Sequence, residues 1–167
     1  MRTRVLWVLG AVILGAAGYV GTVWATPSVG FTSTTIALGR FGNIDAHNQG
    51  FLPPHSAANG MTGKLWMSMQ KTKGPSDLYV QSNVWVPGGS SGWHTHPGHS
   101  LITVTVGEVT VYEAHDSECE SRTYTAGQGF VDAGDGHVHL IRNEGLVEAR
   151  SITVQLLGAG SARRIDA

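Results

Sequence analysis

The stretch Gly92-Trp93-His94-Thr95-His96-Pro97-Gly98-His99-Ser100 holds three of the eight histidines in the chain. Imidazole is the commonest nitrogen ligand of transition metals, and it binds them in its neutral form. His94 and His96 are separated by one residue, so on an extended strand both rings project from one face. From there they can reach a common ion at the roughly 2.0–2.1 Å that a zinc–nitrogen bond requires. A third ligand must come from elsewhere in the chain. His139 is the best candidate, because Val138 to Arg142 reads as a strand that follows the glycine turn Gly134-Asp135-Gly136.

The remaining candidates are weaker. His99 follows the turn pair Pro97-Gly98 and reads as a loop histidine, or as an extra ligand if it turns inward. His137 precedes His139 by two residues, which puts it on the same side of a strand as a substrate-facing group or a support for the ligands. His47, His55 and His115 are isolated and read as surface residues. Glu108 and Glu113 lie on or beside a strand leading away from the ligands, so no clear general acid or base emerges. The single cysteine, Cys119, stands between Glu118 and Glu120, whose charges disfavour a thiolate. It cannot close an internal disulfide, and reads as an exposed hairpin thiol or a link to another chain.

The elements that must position these residues read as β throughout. Leu65 to Thr72, Leu78 to Val86, Leu101 to Val106, Val109 to Ala114, Gly129 to Asp132, Val138 to Arg142 and Val147 to Leu157 are rich in Val, Ile, Thr and aromatics. Turn signals separate them, among them Lys73-Gly74-Pro75-Ser76, Pro87-Gly88-Gly89-Ser90 and Asn143-Glu144-Gly145. This pattern predicts an antiparallel sandwich or barrel. Alternation places Ser100, Ile102, Val104 and Val106 inside and Leu101, Thr103 and Thr105 outside. Ile102, Val104 and Val131 are expected to line a pocket or to be sealed in the core. Residues 26–60, rich in Gly, Pro, Ser, Thr, Asn and His, read as a linker and an irregular arm or edge strand. Residues 159–167 read as a tail.

In this context the residues resemble the cupin superfamily. Its first motif, G-x5-H-x-H-x3-E-x6-G, is matched in register by Gly88, His94, His96 and Gly107, with Ser100 where the family has Glu. Its second, G-x5-P-x-G-x2-H-x3-N, is matched by Gly136, His139 and Asn143, with Gly134 at the Pro position and Gln128 at the first Gly. The resemblance covers roughly residues 60 to 158 and is similar to that of small exported bacterial single-domain cupin proteins. It implies an all-β jelly-roll barrel over residues 61–158, with one divalent metal held by His94, His96 and His139. Fe, Zn, Mn, Ni and Cu all suit such a set. Asn143 is expected to be a structural residue at a strand end. Ser100 in place of Glu removes an anionic ligand, leaving a neutral three-histidine set and a more electron-poor metal. Some thiol dioxygenases of the superfamily also have three histidines and no Glu, which keeps oxygen chemistry open.

Outside the barrel, Met1-Arg2-Thr3-Arg4 is basic and Val5 to Ala25 carries no charge. This is the order of a signal peptide, with Ala25 at a cleavage point, but the span is also long enough for a membrane anchor. Either way the remainder is expected outside the cytoplasm, and a membrane is a partner only through this segment. A net charge of −1 and 14% charged residues exclude the basic footprint of a nucleic-acid binder. Three functions fit: a metal-dependent oxidoreductase resembling the dioxygenases and acting on a small molecule, a non-catalytic module binding a small molecule or metal, or a structural barrel. Pairing of an edge strand into a homodimer is a further expectation.

Overall fold

The structure, a computed structural model, describes residues 26–51, 65–114 and 121–167. The signal or anchor segment, His55, His115 and Cys119 lie outside the described residues. Among the described residues there is no helix. The strands in chain order are β1 (Val29–Phe41), β2 (Asp45–Phe51), β3 (Leu65–Lys71), β4 (Ser76–Ser90), β5 (His94–Thr95) and β6 (Ser100–Val106). They continue with β7 (Glu108–Glu113), β8 (Ser121–Thr125), β9 (Gly129–Asp132), β10 (His139–Arg142), β11 (Ala149–Gly158) and β12 (Ile165–Asp166).

Ten of these join in a jelly-roll-like barrel. One run pairs β1-β4-β11-β6-β9 and the other β8-β7-β10-β5-β12, and the two meet where Arg142 pairs with Ser90. β2 and β3 pair only with each other. All seven strands expected from the pattern are present. Of residues 26–60, the described part, 26–51, holds β2 and, as an edge strand that pairs along most of β4, β1. Its alternation is hidden because most of its residues stay exposed on both faces, including Ile36 and Leu38. The expected turn at Pro87 to Ser90 is instead the end of β4, carried through by the left-handed Gly88 (φ 76°).

The core follows from the period-two burial of the strands. Trp85, Val104, Val109, Val111, Ile141 and Ala149 form one buried cluster, supplied by β4, β6, β7, β10 and β11. Ser100, Ile102 and Val104 are inside as expected, but Val106 is 44% exposed. The register slips there: Arg150 pairs with Val106 while Ser151 pairs with Val104, leaving Thr105 as the extra residue of a bulge. Val131 is also outside, 65% exposed, rather than lining a pocket or sealed in the core.

Asn143 closes the turn after β10. It is fully buried; its Nδ2 donates to the carbonyls of Trp85 (3.1 Å) and Val147 (2.8 Å), and its Oδ1 accepts from Gly145 N–H (3.0 Å). The side chain thus satisfies three backbone groups at the end of the strand that carries His139, the bond to Trp85 being buried and the other two part-buried. Asn143→Leu removes all three bonds and is expected to cost about 3 kcal/mol of stability in urea denaturation. A loss below about 1 kcal/mol would contradict this role.

Candidate metal centre

His94 opens β5 and pairs directly across from His139, the first residue of β10. Their ring centroids are 4.4 Å apart. His96 follows β5, and its ring lies 4.9 Å from that of His94 and 5.5 Å from that of His139. The first two are buried and the His96 side chain is 14% exposed. Each of the three offers one nitrogen such that these nitrogens all lie within 4.8 Å of one another.

In each ring Nδ1 faces a backbone carbonyl. The His94 partner is Gly92 (2.8 Å), the His139 partner is His137 (3.3 Å), and the His96 partner is Arg163. A carbonyl can only accept, so each Nδ1 carries the hydrogen and the Nε2 lone pair is left for a ligand. The Arg163 carbonyl is held in place because residues 159–167 return to the site instead of trailing off. Ile165 pairs with Thr95 and Asp166 with His94. Gln155 Nε2 also donates to the Arg163 carbonyl (3.2 Å). Gly92 is left-handed (φ 70°), and a Cβ there would sit 2.1 Å from the Thr26 carbonyl oxygen.

Burial, reinforced by the neighbouring His139 and Arg164, pushes the pKa of His94 down to about 2. Burial likewise lowers that of His96. Rings in this state are neutral and already prepared to donate to a metal. The donor set therefore fits a divalent transition metal: three imidazoles that each bring one nitrogen within 4.8 Å of the others, with Nδ1 atoms tied to backbone carbonyls.

A carboxylate is also present that sequence reasoning did not assign. Asp132 ends β9 and pairs across from Ser100. Its side chain is 3% exposed, with Oδ2 3.5 Å from His96 Nε2 and Oδ1 3.6 Å from His139 Nδ1. Gly134 N–H donates to Oδ1 (2.9 Å) and Ser100 Oγ to Oδ2 (3.3 Å), while Gln155 Nε2 donates to Ser100 Oγ (3.3 Å). Ser100 is buried at the site and is hydrogen-bonded to this acid from the next strand. Cross-strand register was the signal, since both positions are strand ends that the pattern identified.

The other candidates are placed as follows. His137 is half-buried, its Nδ1 3.1 Å from Glu113 Oε2, and it groups with Asp132 and His139. It supports the trio through its carbonyl. His99 is half-buried and stands apart from the trio, its carbonyl accepting from Leu156 N–H (3.2 Å). His47 is exposed beside Asp45 (2.8 Å). The histidines and Asp132 line a cavity of about 90 Å³, whose wall includes Ile102, Gln81, Thr153 and Gln155. Val104 belongs to the core cluster.

Two histidines of the first motif and one of the second thus converge inside a jelly-roll-like barrel. No protein-family model and no curated protein sequence matches the chain. Among solved structures, the chain is similar to an oxalate oxidase in complex with the substrate analogue glycolate (26% identity, TM-score 0.40), over 49% of this chain and 46% of that one. It is similar to a double-stranded β-helix protein from Klebsiella pneumoniae (23%, TM-score 0.46), over 54% of this chain and 74% of that one. A cupin superfamily protein from Desulfitobacterium hafniense is similar at 12% identity and TM-score 0.41, over 48% of this chain and 67% of that one. The chain spans about half the length of the oxalate oxidase it matches.

The depressed histidines predict a pH dependence. The unfolded chain takes up protons near the usual histidine value of about 6.5, whereas the folded protein takes up none at His94 until about pH 2. Stability of metal-free protein is therefore fully present above about pH 6.5 and falls as pH is lowered, by up to about 1.4 kcal/mol per pH unit for each such ring. Urea denaturation between pH 7 and 5 in the presence of chelator checks this, and His94→Gln should flatten the slope. A flat profile for the unsubstituted protein would contradict neutral buried rings.

Proposed function

We propose that the chain is a cupin, an extracytoplasmic metalloprotein that binds one divalent transition metal through His94, His96 and His139 and acts on a small molecule as a metal-dependent oxidoreductase. The observation that carries the metal reading is the trio itself: three imidazoles with every Nδ1 on a carbonyl and one nitrogen of each within 4.8 Å of the others. The metal, when bound, supplies Lewis-acid polarisation or one-electron chemistry to a molecule in an open position.

The chain's own residues set what can reach it. A cavity of about 90 Å³, open to solvent, leads to the histidines and suits a small molecule. Ile102 gives it an apolar side, while Gln81 and Gln155 give it a polar one and keep one buried atom each without a protein partner. Such a wall suits a small ligand carrying both oxygen or nitrogen atoms and a hydrocarbon part. Export rests on the basic and then uncharged order of residues 1–25. The non-catalytic alternative, capture of the same small molecule or metal, shares this cavity. Association of two copies draws support from the exposed apolar side chains of Leu65, Trp66, Met67 and Met69 on β3.

Protein purified without an affinity tag or chelator should carry near one equivalent of a single metal, and His94→Ala/His139→Ala should carry none. At a free metal concentration a hundred times Kd, binding to the folded state alone should add about 2.7 kcal/mol of stability, and His96→Ala should lose most of it. Oxygen consumption with small thiols and phenols then separates turnover from capture. Failure to bind any metal after reconstitution would sink the reading.

A further inference from the structure

The geometry points to a second metal site, on the hairpin outside the barrel: Met67 and Met69 of β3, with His47 of β2, hold one soft monovalent cation of the copper(I) class. It shares no residue with the histidine trio and does not depend on it.

Strand pairing brings these side chains together. β2 and β3 pair only with each other, in a register that sets His47 across from Met69 and Gln49 across from Met67. Alternation puts both methionines on one face of β3, and residues directly opposite each other share a face, so His47 joins them. Directly opposed residues have Cβ atoms about 4.5–5.5 Å apart, and diagonal neighbours lie about 7–8 Å apart, within reach of long side chains. His47 thus meets Met69 directly and Met67 on the diagonal, a gap that an unbranched, flexible thioether can close. All three line one open groove, together with Asn48 and Gln49.

The donor types select the ion. Thioether sulfur is neutral and polarisable, a poor ligand for magnesium, calcium or manganese and a good one for Cu(I), and imidazole suits copper as well. Among the described residues no cysteine lines the groove. The carboxylate beside the ring is already engaged, with Asp45 Oδ1 2.8 Å from His47 Nε2 and Oδ2 3.2 Å from Lys71 Nζ. Asp45 therefore supports the imidazole from behind, as carboxylates do behind ligating histidines, and Nδ1 is the donor that remains. Two thioethers and one imidazole form an uncharged set, suited to a singly charged soft ion rather than to zinc, whose sites draw on thiolates, carboxylates and several imidazoles. Met67 is 58% and Met69 69% exposed, so their sulfurs are accessible to an incoming ion and contribute little to a core. A lone two-stranded hairpin is marginally stable, and an ion held by both strands would clip it together.

Anaerobic titration of the full-length protein with Cu(I), against a chromophoric Cu(I) chelator and after one equivalent of Zn(II) has been added to fill the trio, tests this directly. The unsubstituted chain is expected to take up one equivalent of Cu(I) whose X-ray absorption shows sulfur beside nitrogen in the first shell. Met67→Leu/Met69→Leu keeps the apolar surface that pairing of two copies would use and removes both sulfurs. Its affinity for Cu(I) should fall about a hundredfold or more, since even supporting groups behind a ligand are worth up to that much. Hydrogen exchange of the β2 and β3 amides should slow when Cu(I) is added to the unsubstituted chain and not when it is added to the leucine variant. Should that variant fail to fold, the sulfur signal and the exchange of the unsubstituted chain decide. Unchanged affinity in the leucine variant, or a first shell without sulfur in the unsubstituted chain, would overturn the hairpin site and leave the histidine trio as it stands.

Discussion

Three hydrogen bonds from imidazole Nδ1 to backbone carbonyls decide what this barrel can do. A ring anchored at Nδ1 and buried cannot also keep a proton on Nε2 without becoming a buried cation. Desolvation and repulsion from neighbouring groups therefore act together to hold His94 and His96 neutral. Imidazoles brought together in this way make a poor core on their own. They make a good site for a cation.

Each anchoring carbonyl comes from a different part of the fold. Gly92 lies just before β5, His137 just before β10, and Arg163 just before β12. Pairing of β5 with both β10 and β12 brings the three together, so the antiparallel ladder is part of the metal chemistry and not merely its support. The core cluster around Trp85 and Val104 fixes the distance between the two halves of the barrel, and Asn143 ties off the strand carrying His139. Small shifts in these elements would change the spacing of nitrogens that must all reach one ion.

Much of this was legible in the amino-acid sequence. The HxH spacing put His94 and His96 together, and the two registered motifs picked out His139 from the remaining histidines. The strands with clear hydrophobic alternation, such as β6 and β11, were equally readable. What escaped was set by partners far away in the chain. β1 buries too little on either face to show a period, and it is ordered by backbone pairing with β4. The bulge that exposes Val106 depends on the register with β11. The Arg163 carbonyl has no side-chain signature at all. Asp132 is the most instructive case, because the mismatch at Ser100 suggested a missing charge while the acid sat across the ladder, visible only once Ser100 and Asp132 are paired.

The central claim is that the lone pairs of three buried rings meet at one cation. Anomalous diffraction from crystals of metal-loaded protein tests it most directly, since it locates the metal without reference to activity. The account predicts a single strong peak roughly 2.0–2.2 Å from Nε2 of His94, His96 and His139, with all three Nδ1 atoms still on their carbonyls. A peak elsewhere, or no peak in fully loaded protein, would contradict it.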